Sequence, residues 1–239
     1  MYEFTSRVRY SEVDAKCNLK LSSLANYFQD CTSFQSEDLG IGVDYWASNK
    51  RTWVLNYWQI DILRYPKLAD YITIRTIPYD MKSFVGYRNF CIKDNATEEI
   101  VVKANTIWTY IDTERLRPAR VGDEVKDKYA LGEKLDMEYV DHKIVIEGER
   151  EVREPIAVTE FMIDTNNHVN NAKYIDIALG YVPDGEQVCR LRTEYKNAAV
   201  LGDTMTPVVY KQDNGVIVAF ENETDNKLYA VCQFIYGNN

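Results

Sequence analysis

Histidine is nearly missing from this 239-residue chain, which carries only His142 and His168. Two imidazoles cannot build a multi-histidine metal centre, and no HExxH or CxxC spacing offers another route to one. The five cysteines, Cys17, Cys31, Cys91, Cys189 and Cys232, are odd in number. Neither a disulfide framework nor a zinc site is indicated, and Cys17 is expected to be a small buried thiol. A glycine-rich phosphate loop is lacking too. No apolar run approaches the ~18 residues of a membrane span. Positive charge is short: 28 Lys and Arg against 37 Asp and Glu leave a formal charge of −9. That balance argues against nucleic acid as a partner, because phosphate binding needs a basic face. The opening MYEFTSRVRYSE lacks the charged-then-apolar pattern of a signal peptide, so a cytoplasmic location is expected. No cofactor and no metal are expected.

What is present is a folded, aromatic-rich composition. Hydrophobic residues make up 46% of the chain, with 18 tyrosines and 8 phenylalanines, which favours sheets with aromatic faces. The length suits two domains of about 100 residues each. An internal repeat supports that division. Asp164, His168 and Val169 stand 150 positions after Asp14, Asn18 and Leu19. Leu201-Gly202-Asp203 resembles Leu68-Ala69-Asp70 at an offset of 133, and Ala230, Phe234 and Tyr236 resemble Ala104, Trp108 and Tyr110 at 126. The shrinking offset places extra residues in the first half, around Gly40 to Arg51.

Each half reads as a strand, a helix and four strands. In the first, a strand over 2–10 precedes a helix from about Leu21, with Leu21, Leu24, Ala25, Phe28 and Cys31 at helical spacing. Ser22 or Ser23 is the expected cap, and residues 38–42 the stop. Strands follow at 53–63, 71–77, 84–93 and 99–112, with a turn at 94–97. Residues from about 113 to 148 read as a charged connector. Its Arg115, Arg117, Arg120, Lys126 and Lys128 are expected to be solvated rather than to form a binding patch, and His142 likewise. In the second half a strand ends near Val158 and a helix over 171–181 follows, capped by Asn170 or Asn171. Strands are then expected at 188–196, 203–212, 216–222 and 227–236, with hairpin signals at 213–215 and 225–226. A single helix beside an antiparallel sheet buries both by wrapping the sheet around the helix. The expected class is α+β, with tandem hot-dog domains, each an antiparallel sheet around one long helix. The expected boundaries are 1–115, a connector at 116–148, and 149–239.

The chemistry concentrates at Asp164, Asn166 and His168. Alternate positions of an extended or turning backbone project to one side, so a carboxylate, a carboxamide and an imidazole could share one small volume. Only the second copy has the histidine and Asn166, which points to one active site, in the second half. Asn170 and Asn171 read as helix caps, and Asp14 and Asn18 as structural counterparts in a duplicated loop.

The run Asp164, Asn166, His168, Val169, Asn170, Asn171, followed by Lys173 and Tyr174, resembles the signature of acyl-acyl carrier protein thioesterases of the plant and bacterial fatty-acid type. The opening from Arg7 to Asp14, the segment Glu194-Tyr195-Lys196 and the pair Gly202-Asp203 resemble other parts of that family, with the bacterial branch nearest. The resemblance implies two hot-dog domains and hydrolysis of a fatty acyl thioester to free fatty acid and the carrier's thiol, with acyl carrier protein as the partner. It implies catalysis by the C-terminal domain and shaping of the acyl pocket by the N-terminal one. The chain departs from plant members in one respect. Where they have a Glu-Cys pair shortly after the Glu-Tyr segment, it has Ala198 and Ala199. Glu194 is the nearby carboxylate. A monomer or a homodimer is expected. The alternatives are an acyl-CoA thioesterase or a non-catalytic acyl-binding hot-dog protein; a dehydratase fits the motif order less well.

Thioester hydrolysis needs an activated water, stabilisation of the oxyanion and a proton for the departing sulfur. On this reading Asp164 orients or deprotonates the water. Asn166 and backbone N–H groups at the helix start near Asn171 hold the carbonyl oxygen. His168 positions the water or passes a proton, and either Asp164 or His168 is the base.

Overall fold

The structure is a computed structural model and describes residues 1–225 and 227–237. The chain divides into two compact units. One comprises Met1–Asn56 with Ile62–Tyr139, and the other Tyr57–Asp61 with the residues from Val140 onward.

The first unit contains β1 (Tyr2–Arg7), α1 (Leu21–Asp38), α2 (Val43–Asn49), β2 (Arg51–Ile62, as far as Asn56), β3 (Tyr71–Lys82), β4 (Val85–Asp94), β5 (Ile100–Asp112), β6 (Arg117–Pro118) and α3 (Asp123–Lys126). Its strand order is β1-β3-β4-β5-β2, with β6 beside β5. The pairs β1/β3, β3/β4 and β4/β5 are antiparallel. Leu21, Leu24, Ala25, Phe28 and Cys31 are all buried, so the helical spacing read from sequence is the face that α1 lays on β1 and β3. Its cap differs from expectation. Lys20 is the N-cap and no side chain caps the helix, while Ser22 and Ser23 are buried in the first turn. The chain enters α1 from a 3-10 turn at Tyr10–Glu12, and the Glu12 carbonyl accepts from Lys20 N (3.0 Å) and Ser23 Oγ (3.0 Å). That backbone platform does the work of a cap. At the other end Gly40, at φ +67°, turns the chain out of the helix. The added residues of the first half form α2, whose Tyr45 and Trp46 pack with Trp53 on Ile41, Tyr110 and Tyr129.

The connector is not wholly solvated. Arg115, Arg117, Arg120 and Lys128 are exposed, but the backbone after them is fastened down. In the first unit the fully buried Asn89 accepts through Oδ1 from Leu135 N (3.1 Å) and the Tyr139 hydroxyl (2.9 Å). In the second, Val140 N donates to Gln59 Oε1 (3.2 Å) and Ile144 N to Glu194 Oε2 (3.3 Å). Ile144 then packs on Ile217, Ala219 and Val231. Sparse apolar residues hid this from the periodicity, because the attachment is made by backbone amides to buried polar side chains. His142 is exposed, as expected.

The second unit contains Tyr57–Asp61 of β2, then β7 (Arg150–Val152), β8 (Ile156–Ala157), α4 (Asn171–Leu179), β9 (Val188–Tyr195), β10 (Thr204–Gln212), β11 (Gly215–Asn222) and β12 (Leu228–Tyr236). Its order runs from residues 57–61 through β9-β12-β11-β10 to β7, with β8 also on β10. Every neighbouring pair in it is antiparallel. Of the two expected hairpin signals, Asp225-Asn226 includes a residue outside those described. Helix α4 packs on β12 and is nine residues long against 18 for α1. Tight turns continue it, with Gly180, Tyr181 and Val182 N–H groups each bonding three residues back. Among the described residues no helix is long and apolar enough to cross a membrane.

Candidate active site

The motif loop is built by one side chain. Asp164 Oδ1 accepts from Asn166 N (2.8 Å) and His168 N (3.4 Å). Asp164 N donates to His168 O (2.8 Å), and Asn167 N returns to Asp164 O (3.0 Å). This is an Asx turn combined with the backbone turn that the Asn167 N–H closes. Asn167 takes φ 61°, a conformation that asparagine tolerates better than most residues. Isolated bridging of Ile163 to Val169 closes the loop.

The first unit repeats it bond for bond. Asp14 Oδ1 accepts from Lys16 N (2.8 Å) and Asn18 N (2.9 Å). Asp14 N donates to Asn18 O (2.8 Å), Cys17 N to Asp14 O (3.0 Å), and Val13 bridges Leu19. Cys17 holds φ 62°. It is exposed rather than buried as expected. The tight left-handed turn puts the residue at the loop tip, away from any core.

The three expected residues therefore share one short loop, but not as a closed triad. Asp164 is half-buried, with its carboxylate on the main chain of the other two, and the Asn166 and His168 side chains are exposed. Asn170 caps α4 as expected, its Oδ1 accepting from Ala172 N (2.9 Å), and Lys173 N bonds Asn170 O (2.9 Å). The Asn171 N–H has no protein acceptor among the described residues, which makes it a free donor of the helix start.

Three residues that the resemblance includes without giving them a role fix this loop. The carbonyl of Ala199, itself fully buried, accepts from Val169 N (2.9 Å). Ala198 and Ala199 thus lie beside the motif loop, the first exposed and the second sealed. Tyr195 on β9 donates its hydroxyl to Asn171 O (2.9 Å). Tyr174 on α4 packs edge-on to Tyr195 and Phe220. Burial pushes both phenols above the ordinary tyrosine range, so both stay protonated at neutral pH. The alternation of β9 was the available signal: Thr193 and Tyr195 face the helix side. Glu194 faces the other way. Its oxygens take Ile144 N and the Lys196 ammonium (2.5 Å), so it secures the connector and does not point toward the loop.

Among the described residues no group of three His, Cys, Asp or Glu side chains could hold a metal. The arrangement offers a carboxylate with one oxygen committed to the loop, an exposed imidazole, an exposed carboxamide and a free backbone donor at a helix N-terminus.

The acyl-ACP thioesterase N-terminal domain matches residues 1–129, and the acyl-ACP thioesterase C-terminal domain matches residues 146–227. The chain belongs to the acyl-ACP thioesterase family. A chloroplastic acyl-acyl-carrier-protein hydrolase of Cuphea viscosissima is 27% identical over 210 residues, covering 79% of this chain and 50% of that protein. The chain spans about half the length of the curated relatives it matches. An acyl-ACP thioesterase structure from Bacteroides thetaiotaomicron superposes with a TM-score of 0.87 at 20% identity, over 98% of this chain and 97% of that one. The 12:0-ACP thioesterase of Umbellularia californica gives 0.84 at 16%, over 100% and 97%. The fold of this family member is accordingly the double hot-dog, in the α+β class expected from the repeat.

Proposed function

We propose that this chain hydrolyses fatty acyl thioesters of acyl carrier protein, releasing free fatty acid and the carrier's thiol and so terminating fatty acid synthesis. Family membership over both domains supports the reaction class, and the Cuphea relative is named for that hydrolysis. The observation that carries the assignment to residues is the duplicated loop. Two loops with the same hydrogen bonds differ in chemistry: Lys16 and Asn18 in one stand where Asn166 and His168 do in the other. Scaffolding needs alone would not call for an imidazole there.

In the proposed mechanism a water attacks the thioester carbonyl carbon and the C–S bond breaks. Asp164 holds or deprotonates that water through the oxygen not used by the loop. Asn166 and the free Asn171 N–H stabilise the oxyanion, as donors aimed at developing charge do. His168 positions the water or delivers the proton to sulfur. Residues 149–239 carry the chemistry, residues 1–115 shape the acyl pocket, and 116–148 connect them. The partner is acyl carrier protein, the location is the cytoplasm, and the working form is a monomer or a homodimer.

The test is thiol release from one acyl chain presented on carrier protein and on CoA, with Asp164→Ala and His168→Ala beside the wild type. Faster release from the carrier, lost in both variants, is expected. Preference for CoA would reassign the substrate. Absence of release from either would leave an acyl-binding protein, the alternative that Ala198 and Ala199 leave open. Full activity in both variants would overturn the residue assignment.

A further inference from the structure

Tyr174 on α4 is 2% exposed, and its hydroxyl has no hydrogen-bond partner among the described residues. Its ring meets those of Tyr195 and Phe220 edge-on, with centroids 6.0 and 5.4 Å away. Burial drives its pKa up. The Ala199 N–H, directed at the phenol oxygen without closing a hydrogen bond, restrains that rise. Among the described residues this N–H has no other acceptor. The carbonyl of the same Ala199 accepts from Val169 N (2.9 Å), and Val169 follows His168 directly. A buried hydroxyl left without a partner costs stability. A side chain of similar bulk without the oxygen would pack at less cost.

The first unit shows what the fold alone requires at these positions. Its Leu19 N bonds Pro66 O (2.8 Å) as Val169 N bonds Ala199 O. Its Asp70 Oδ2 takes Lys67 N (2.8 Å) as Asp203 Oδ2 takes Val200 N (2.9 Å). Pro66 is thus the counterpart of Ala199. At the same offset Ile62, the last residue of β2, is the counterpart of Tyr195, the last residue of β9. On the helices Leu24 is the counterpart of Tyr174, at the offset of the motif loops. Where the second unit has the Ala199 N–H facing the Tyr174 oxygen, the first has a proline, which lacks an N–H, and a leucine, which lacks a hydroxyl. Donor and acceptor are present together or absent together. Tyr195, whose hydroxyl donates to Asn171 O (2.9 Å), is likewise matched by an aliphatic side chain. Leu24 and Ile62 are buried as deeply, at 0% and 2% exposure, so aliphatic groups satisfy the packing. Both phenols occur only in the copy that carries His168.

We propose that Tyr174 and Tyr195 are positioning residues for thioester hydrolysis, a pair of phenols that sets His168 and the start of α4 against the substrate. Tyr174 fixes Ala199 through its amide, and Ala199 fixes Val169 beside His168. Tyr195 fixes Asn171, whose N–H is the proposed oxyanion donor. Neither phenol touches the thioester, and both act through the main chain. The inference rests on the hydrolase reading of the motif loop and extends it to the residues that hold that loop in place.

Tyr174→Phe, Tyr195→Phe, Ala199→Pro and the combination of Tyr174→Phe with Ala199→Pro test this in the full-length chain, by thiol release and by amide hydrogen exchange. Each single variant should lower kcat about 10- to 100-fold with KM within about twofold of wild type, the pattern of misplaced reacting groups rather than of lost binding. The combination should lose no more than either of its members, because both remove the same contact. In Tyr174→Phe the Val169 N–H should exchange at least ~10-fold faster, while the Leu19 N–H of the first unit keeps its wild-type rate. Full kcat in either phenylalanine variant, losses that multiply in the combination, or unchanged Val169 exchange overturns the proposal. If Ala199→Pro does not fold, Tyr174→Phe decides through kcat and exchange together. If the wild type releases no thiol, the hydrolase reading fails on its own, and Val169 exchange still decides whether Tyr174 holds the loop.

Discussion

Asp164 repeats, 150 residues later, the hydrogen bonds that Asp14 makes in its own loop: one carboxylate oxygen on the main-chain N–H groups two and four residues ahead. The shared pattern separates what this aspartate does for the backbone from what it can do for a substrate.

Asp14→Ala and Asp164→Ala should therefore each cost about 1–2 kcal/mol of stability, the worth of losing hydrogen bonds to a charged acceptor. Asp164→Asn keeps an acceptor oxygen for the loop and should unfold near the wild-type temperature. Its thiol-release rate should nonetheless fall roughly 10²–10⁴-fold, the usual worth of a catalytic acid or base. Asp14→Asn should keep the rate. Thermal denaturation alongside the thiol assay reads both effects, and equal activity in Asp164→Asn and Asp14→Asn would contradict the division of roles.

Glu194→Gln should hydrolyse thioesters within about threefold of wild type, a shift of less than 1 kcal/mol, since the side chain points away from the motif loop. Glu194→Ala should instead lower stability by about 1–2 kcal/mol, because the Ile144 N–H loses its acceptor. A loss of several orders of magnitude in rate for Glu194→Gln would show that this carboxylate acts in catalysis.

Thiol reactivity should follow burial. Burial raises the Cys31 and Cys232 thiols to about 12 and pushes Cys91 up as well. Cys17 is exposed at the loop tip. Iodoacetamide at pH 8, read by peptide mass spectrometry, should modify Cys17 first and leave Cys31, Cys91 and Cys232 untouched until the protein unfolds. Because Cys17 sits at positive φ, Cys17→Asn should stabilise the protein by roughly 0.5 kcal/mol.

The acid limb has a defined contributor in Asp94. The Arg64 guanidinium, 2.5 Å from Oδ2, holds its carboxyl below the ordinary range, helped by the Ala96 and Thr97 N–H groups. A depressed folded value means stability that is fully present above the unfolded value, about 4, and lost as pH falls through the folded one. Arg64→Gln should be less stable than wild type at pH 7 in urea unfolding, and the gap should close as pH drops below about 4. A gap that stays constant with pH would rule this pair out as a source of acid sensitivity.

Much of this was readable in the chain before any coordinates. The i, i+3, i+4 spacing of α1 and the 150-residue offset between the motif copies survive as packing and as matching hydrogen bonds. What stayed hidden was held by contacts that leave no period. The connector is secured through Asn89, Gln59 and Glu194, single polar side chains on three different strands. The start of α1 rests on the Glu12 carbonyl, which no residue type signals. Within the motif, residue spacing suggested convergent side chains. The bonds instead run from one carboxylate to two backbone amides, a distinction that only φ and ψ reveal.

The second unit also borrows residues 57–61 from far upstream, where they flank β9. A truncation beginning at Val140 would consequently leave the Val188–Tyr195 strand with one bare rim of amides and carbonyls, open to a neighbouring molecule. Dissecting this protein into halves by a simple cut should yield a sticky C-terminal piece, whereas a circularly rearranged gene supplying the Tyr57–Asp61 segment in cis would not share that defect.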